Sequence, residues 1–153
     1  MQHFPPTIII RHCKENLKKC SLRGLESRSD FRFFTYPQFP IALPDLNGYI
    51  LLTIDAPPLT EADKDAGLLL LDGTWRYAAK MERFIVKEAP LLIRRSLPPH
   101  YRTAYPRVQN DCADPERGLS SIEAIYLCYK ILGRDTNGLL DTYHWKEQFL
   151  QKN

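Results

Sequence analysis

Gly67-Leu68-Leu69-Leu70-Leu71-Asp72-Gly73-Thr74-Trp75 is the stretch on which the fold turns. Four consecutive leucines between a glycine and an aspartate have a strand's length without polar alternation, the composition of a strand buried on both faces of a parallel sheet. Gly73 then breaks the run. Thr74 is placed to cap a helix in which Trp75, Ala78, Ala79 and Glu82 fall on one stripe, and Pro90 closes that segment. Strand, turn and helix therefore meet at Asp72-Gly73-Thr74.

Working outward, Thr7–Arg11 is short and β-branched, Phe31–Tyr36 is aromatic and Tyr49–Thr53 is apolar, so each reads as a further strand. Ser120-Ser121-Ile122-Glu123 is a capping-box sequence. Ile122, Ile125, Tyr126 and Tyr129 then mark the buried face of a helix ending near Gly133, with a last helix expected after Gly138. Prolines at 37–44, 57–58 and 98–106 make those stretches loops. The expected class is α/β, a mainly parallel sheet with helices on both faces, in one domain over residues 1–153.

The chain is 44% hydrophobic and 25% charged, the balance of a folded globular protein. No apolar run approaches the roughly 18–20 residues that cross a bilayer, and Met1–Pro6 lacks the pattern of a secretory signal, so no membrane partner and a cytoplasmic setting are expected. Cys13, Cys20, Cys112 and Cys128 form no C-x-x-C pair, and no metal is expected. The net charge of +3 is unevenly spread. Basic residues crowd 11–32 and 76–107, acidic ones 45–72, a pattern that suits a polyanion if the basic blocks converge and that otherwise describes a solvated surface.

In an open α/β sheet, ligands bind beyond the carboxyl ends of the strands, where Asp55 and Asp72 project. Asp72 is the stronger candidate. It follows a wholly apolar strand and suits a general base or an acceptor for a ligand's amine, although Asp-Gly-Thr is also ordinary turn chemistry. Trp75 offers either a core side chain or a flat face for a sulfonium cation. Neither G-x-G-x-x-G nor G-x-x-x-x-G-K is present, and no elbow motif accompanies His3, His12, His100 or His144, so dinucleotide, phosphoryl and serine-hydrolase chemistry are unsupported.

Leu71-Asp72-Gly73-Thr74-Trp75, Ala78-Ala79-Lys80-Met81 and Gly118-Leu119-Ser120-Ser121-Ile122-Glu123-Ala124 together resemble the DTW-domain family of tRNA-uridine aminocarboxypropyltransferases. Cys20-Ser21-Leu22-Arg23-Gly24-Leu25, Leu59-Thr60-Glu61-Ala62-Asp63 and the segment from Leu97-Pro98 to Tyr105-Pro106 resemble the related small-subunit rRNA aminocarboxypropyltransferases. The matches span residues 8–133. The resemblance implies a knotted, SPOUT-like fold and S-adenosylmethionine as cofactor. It further implies transfer of the 3-amino-3-carboxypropyl group to N3 of a uridine or pseudouridine in structured RNA, either tRNA or small-subunit rRNA, with release of methylthioadenosine.

By matching position, the resemblance places Ser21 and Asp72 at the amino-acid end of the cofactor. Trp75 and Ala78 enclose its methyl group, and the loop holding Leu97 and Tyr101 takes the adenosine, with Asp72 as candidate catalytic base. Arg11, Lys14, Lys18, Lys19, Arg23, Arg94, Arg95, Arg102 and Arg107 are the expected phosphate contacts. Ser121 and Glu123 match the family's later motif and are equally well read as helix-start residues. The cysteine-rich zinc segment of bacterial DTW proteins is absent, and Asp-Gly-Thr-Trp stands where the rRNA branch has Asp-Cys-Ser-Trp, which leaves the branch open. A SPOUT-type RNA methyltransferase and a non-catalytic RNA-binding or ribosome-assembly protein are the alternatives.

Overall fold

The computed structural model describes residues 4–14, 22–37, 43–73, 75–104 and 119–153, with Trp75 described in its backbone alone. Five strands, β1 (Thr7–His12), β2 (Phe31–Tyr36), β3 (Tyr49–Leu52), β4 (Gly67–Asp72) and β5 (Ile93–Arg95), form one sheet of order β2-β1-β4-β3-β5. Every pairing is parallel. Four of these strands lie where the apolar runs place them. β5 has no such signal, because Ile93-Arg94-Arg95 sits at the sheet's edge with its first two residues exposed.

The central strands β1 and β4 are buried along almost their whole length, which is why Ile8-Ile9-Ile10 and Leu68-Leu69-Leu70 carry no polar alternation. Alternate residues serve two cores. Ile8, Ile10 and Leu69 pack with Met81 and Ile85 of the helix α1 (Trp75–Glu88). Ile9, Leu68 and Leu70 pack with Ile122, Ile125 and Tyr129 of α2 (Ser121–Ile131) and Phe149 of α3 (Lys146–Lys152) on the opposite face. Helices thus cover both faces, as expected. The last helix follows Gly138, as expected, and begins at Lys146 after residues 137–142 form successive turns. No helix among the described residues is long and apolar enough to cross a membrane.

Gly67 starts β4 because the ring of Tyr49 lies across its position: a Cβ there would stand 2.5 Å from Tyr49 Cε2. The Tyr49 hydroxyl meanwhile donates to the Pro6 carbonyl at 2.6 Å, holding the ring in place. The connection from β1 runs toward the β2 edge, whereas that from β4 runs through α1 toward the β5 edge. The carboxyl ends of β1 and β4 therefore flank the sheet's topological switch point, where α/β sheets open a crevice for ligands.

Candidate active site

At that switch point Arg11 of β1 and Asp72 of β4 are register partners. Asp72 is only 4% exposed and Arg11 9%, and both side chains fall on the α2 face with Ile9 and Leu70. Arg11 Nε donates to Asp72 Oδ2 at 3.2 Å, and its Nη2 donates to Glu26 Oε2 at 3.3 Å. The guanidinium also lies 4.8 Å from the centre of the Phe33 ring. Ser121, in the first turn of α2, donates its hydroxyl to Asp72 Oδ1 at 2.8 Å. Burial pushes the Glu26 carboxyl up, but backbone N–H groups of Glu26 and Gly24 and the Arg11 guanidinium outweigh it and hold the group below its ordinary value.

Gly73 lets the chain leave β4 tightly, since a Cβ there would stand 3.1 Å from Met81 Cε and 3.3 Å from His12 Cβ. His12 follows Arg11 and so points to the α1 face, where it stacks on Tyr77 with ring centres 3.9 Å apart. The Lys14 backbone N–H donates to His12 Nδ1 at 3.1 Å, and Lys14 Nζ lies 5.9 Å from the Tyr77 ring centre. Burial, then the charges of Lys14 and Lys80, push the His12 imidazole below its ordinary value.

The start of α2 carries the second buried carboxylate. Ser120 caps the helix and Glu123 closes the capping box, accepting from the Ser120 N–H at 2.8 Å. Glu123 is wholly buried and also accepts from Thr103 Oγ1 at 2.6 Å, Ala104 N at 2.8 Å and the Tyr143 hydroxyl at 2.9 Å. A residue whose spacing reads as a helix cap is thus also the clamp that fixes the end of the 97–104 loop against α2. The chain's last residues hold the same loop: Asn153 exchanges two hydrogen bonds with the Arg102 backbone, and Lys152 Nζ donates to the Thr103 carbonyl at 3.1 Å. Leu97 and Tyr101 pack from this loop against the α2-side core.

Among the expected cofactor residues, Asp72, Leu97 and Tyr101 share the α2 side of the sheet, whereas Ala78 lies half-buried on α1, which covers the other face. Ser21, the Thr74 cap and the side chain of Trp75 lie outside the described residues, as do Lys18, Lys19 and Arg107. Lys14, Arg23 and Arg94 are exposed. Arg95 pairs with Asp63 at 3.4 Å, and Arg102 turns back onto the carbonyls of Pro99 and Tyr101. Arg11 requires a correction: it is a buried charge facing Asp72 and Glu26 rather than a surface contact for phosphate, because the strand runs on through His12 and carries Arg11 inside.

Ser121 is missed as an Asp72 partner by a reading that sees only helix capping, and Glu26 is missed altogether. The adjacency of the two serines gave the available signal: one hydroxyl suffices for the cap, so the other is free to serve a different group. Among the described residues no three His, Cys, Asp or Glu side chains gather as a metal site. What the arrangement offers is an oriented carboxylate, a hydroxyl and a guanidinium at the carboxyl ends of β1 and β4, beside a fixed loop that carries an aromatic and a leucine. Such a set can hold a zwitterionic ligand and the flat ring attached to it.

No protein-family model matches the chain, and no curated protein matches it. Among solved structures it is similar to the SAM-dependent rRNA:acp-transferase Tsr3 from Vulcanisaeta distributa. The two are 25% identical with a TM-score of 0.70, over 95% of this chain and 77% of that one.

Proposed function

We propose that the protein transfers the 3-amino-3-carboxypropyl group of S-adenosylmethionine to N3 of a uridine or pseudouridine in structured RNA, releasing methylthioadenosine. The observation that carries this reading is the likeness, over nearly the whole chain, to a SAM-dependent rRNA:acp-transferase. It agrees with the motifs around Asp72 and with the constellation at the switch point. The reading includes a knotted SPOUT-like trace and a cytoplasmic setting. Small-subunit rRNA is the favoured target and tRNA the second.

The residues present suit this cofactor. Asp72, oriented by Arg11 and Ser121, offers an acceptor for its ammonium, and Ser21 supports the same end. Leu97 and Tyr101, on the loop that Glu123 fixes, suit the adenosine. Trp75 and Ala78 are assigned to the methyl group. When bound, S-adenosylmethionine supplies an electrophilic methionine carbon beside its sulfonium, already a good leaving group. The protein's work is then positioning, water exclusion and removal of the imide proton. Asp72 Oδ1 and Oδ2 already accept from Ser121 and Arg11, so holding the ammonium is its first role and taking the proton its second. Lys14, Arg23, Arg94, Arg95 and Arg102 are assigned to RNA phosphates, with Lys18, Lys19 and Arg107.

Purified protein incubated with S-adenosylmethionine and rRNA should yield methylthioadenosine and an aminocarboxypropyl nucleoside, read by mass spectrometry. S-adenosylhomocysteine in its place would establish methyl transfer instead. RNA binding without calorimetric binding of S-adenosylmethionine would establish a non-catalytic protein. Full activity in both Asp72→Asn and Trp75→Ala would discard the site.

A further inference from the structure

The outward face of α1 carries Arg76, Lys80, Arg83 and Lys87, all exposed. Their spacing of four, three and four residues confines them to an arc of about 60° on a helix of 3.6 residues per turn. Met81 and Ile85, which bury the helix against the sheet, lie on the opposite side. Among the described residues none of the four is in an ion pair. The helix's two carboxylates stand off the stripe: Glu82 accepts from the Thr53 hydroxyl, and Glu88 lies about 100° away, beyond Lys87. Four cations have thus been gathered on one line without neutralisation. Such a line costs self-repulsion and does nothing for the core, as expected where an external polyanion supplies the counter-charge.

The stripe also has a direction. It begins one residue into α1, four positions after Asp72, and runs away from the site for about 16 Å at 1.5 Å per residue. Lys14 extends it at the sheet's carboxyl edge, where its ammonium approaches the Tyr77 ring in the first turn of the same helix. The acidic residues Asp45, Asp55 and Asp65 sit on loops flanking β3 and preceding β4, and Glu61 in the short 3-10 helix between those strands, none of them on α1.

We propose that the α1 stripe of Arg76, Lys80, Arg83 and Lys87 is a track for the phosphate backbone of RNA leading away from the modified nucleotide. This rests on the RNA-modifying reading above. It extends that reading to a helix face lying outside the switch-point crevice and belonging to no part of the cofactor site.

The test uses the full chain and a fluorescein-labelled RNA hairpin with a uridine-rich loop, titrated at several salt concentrations. The quadruple variant Arg76→Gln/Lys80→Gln/Arg83→Gln/Lys87→Gln should bind at least tenfold more weakly. Its log affinity against log salt should flatten by roughly 3, at 0.7–0.9 per lost phosphate contact. Calorimetric affinity for S-adenosylmethionine and melting temperature should be unchanged. The charge control Lys64→Gln/Lys130→Gln, both exposed and away from α1, should leave the hairpin affinity within twofold of wild type.

Equal affinity and slope in the quadruple variant and wild type would remove the track while leaving the proposed function intact. So would an equal loss per charge in the control, which would make the effect one of net charge. Wild type that binds phosphatidylserine vesicles but not the hairpin would overturn the RNA assignment of the stripe. Retained production of methylthioadenosine from other RNA separates that outcome from failure of the proposed function.

Discussion

At the carboxyl ends of the strands Arg11 lies over Phe33 and pairs with two carboxylates, whereas at the amino ends Arg134 lies over Phe4 and is in no ion pair among the described residues. Both guanidiniums are buried. Arg134 Nη2 donates to the carbonyls of Lys64 and Ala66, just before β4, while its Nε and Nη1 have no hydrogen-bond partner. Burial pushes its own ionisation down, an effect that Tyr129, Cys128 and Asp65 only partly offset. The neighbouring Tyr129 hydroxyl shares a hydrogen bond of 2.7 Å with Thr7 and touches Asp30. One arginine organises charge at the edge to which we assign the cofactor; the other braces an edge lined by aromatic rings.

The largest effect should come from Arg11→Met. It removes the cation beside Asp72 and Glu26 and leaves a buried carboxylate short of its charge partner, which costs about 3–5 kcal/mol of stability. The carboxylate also loses its orientation, so activity per folded molecule should fall by about 100-fold or more. Denaturant melts and single-turnover transfer assays read the two separately. Near-wild-type activity in the folded fraction would erase the contrast between the two edges.

Alkaline titration probes the aromatic edge. Burial is the main cause that raises the Tyr129 phenol from its ordinary 10.0 to about 12, with Asp30 adding to it. The folded state therefore keeps a proton that the unfolded chain releases. The associated stability is whole below pH 10 and is lost as pH rises through 12, about 2–3 kcal/mol at roughly 1.4 per unit. Cys128, raised by burial from 9.0 to about 12, starts the decline earlier. Tyr129→Phe should be less stable at neutral pH and lose less between pH 10 and 12, with transfer activity at neutral pH unchanged.

Glu123→Gln should follow at about 1–3 kcal/mol, because an amide NH2 in place of one oxygen would oppose donors now satisfied by the carboxylate. Here the edges should differ again. Loosening residues 103–104 should raise the KM for S-adenosylmethionine more than it lowers kcat, as measured in steady-state transfer.

Much of this contrast was out of reach of the sequence. Ile8-Ile9-Ile10 and Leu68–Leu71 announce buried parallel strands because burial on both faces leaves no polar position to mislead. Strand order and the pairing of Arg11 with Asp72, 61 residues apart, depend on how the crossovers run, which no local pattern records. An arginine after three isoleucines reads as the end of the strand when it is in fact an inward charge. β5 escaped because an exposed edge needs no apolar alternation. The Asp72 and Glu123 positions were legible as motif residues, but the partners that define their work, Arg11 and Ser121 for the first and Thr103 and Tyr143 for the second, come from distant segments.

The smallest effect should be that of Arg134→Met, the same substitution as at Arg11 on the opposite edge. Two terms oppose one another here. The carbonyls of Lys64 and Ala66 lose a donor, at about 0.5–1.5 kcal/mol each, while removal of two unpartnered buried nitrogens and of a buried charge that only Asp65 weakly offsets returns a desolvation cost of similar size. A methionine stem also keeps contact with the Phe4 and Tyr129 rings that the guanidinium covers. The net change should stay within about 1 kcal/mol, with transfer activity at wild-type level. A loss as large as that of Arg11→Met would mean that Arg134 balances a charge across the aromatic edge, and the two arginines would then be doing the same job.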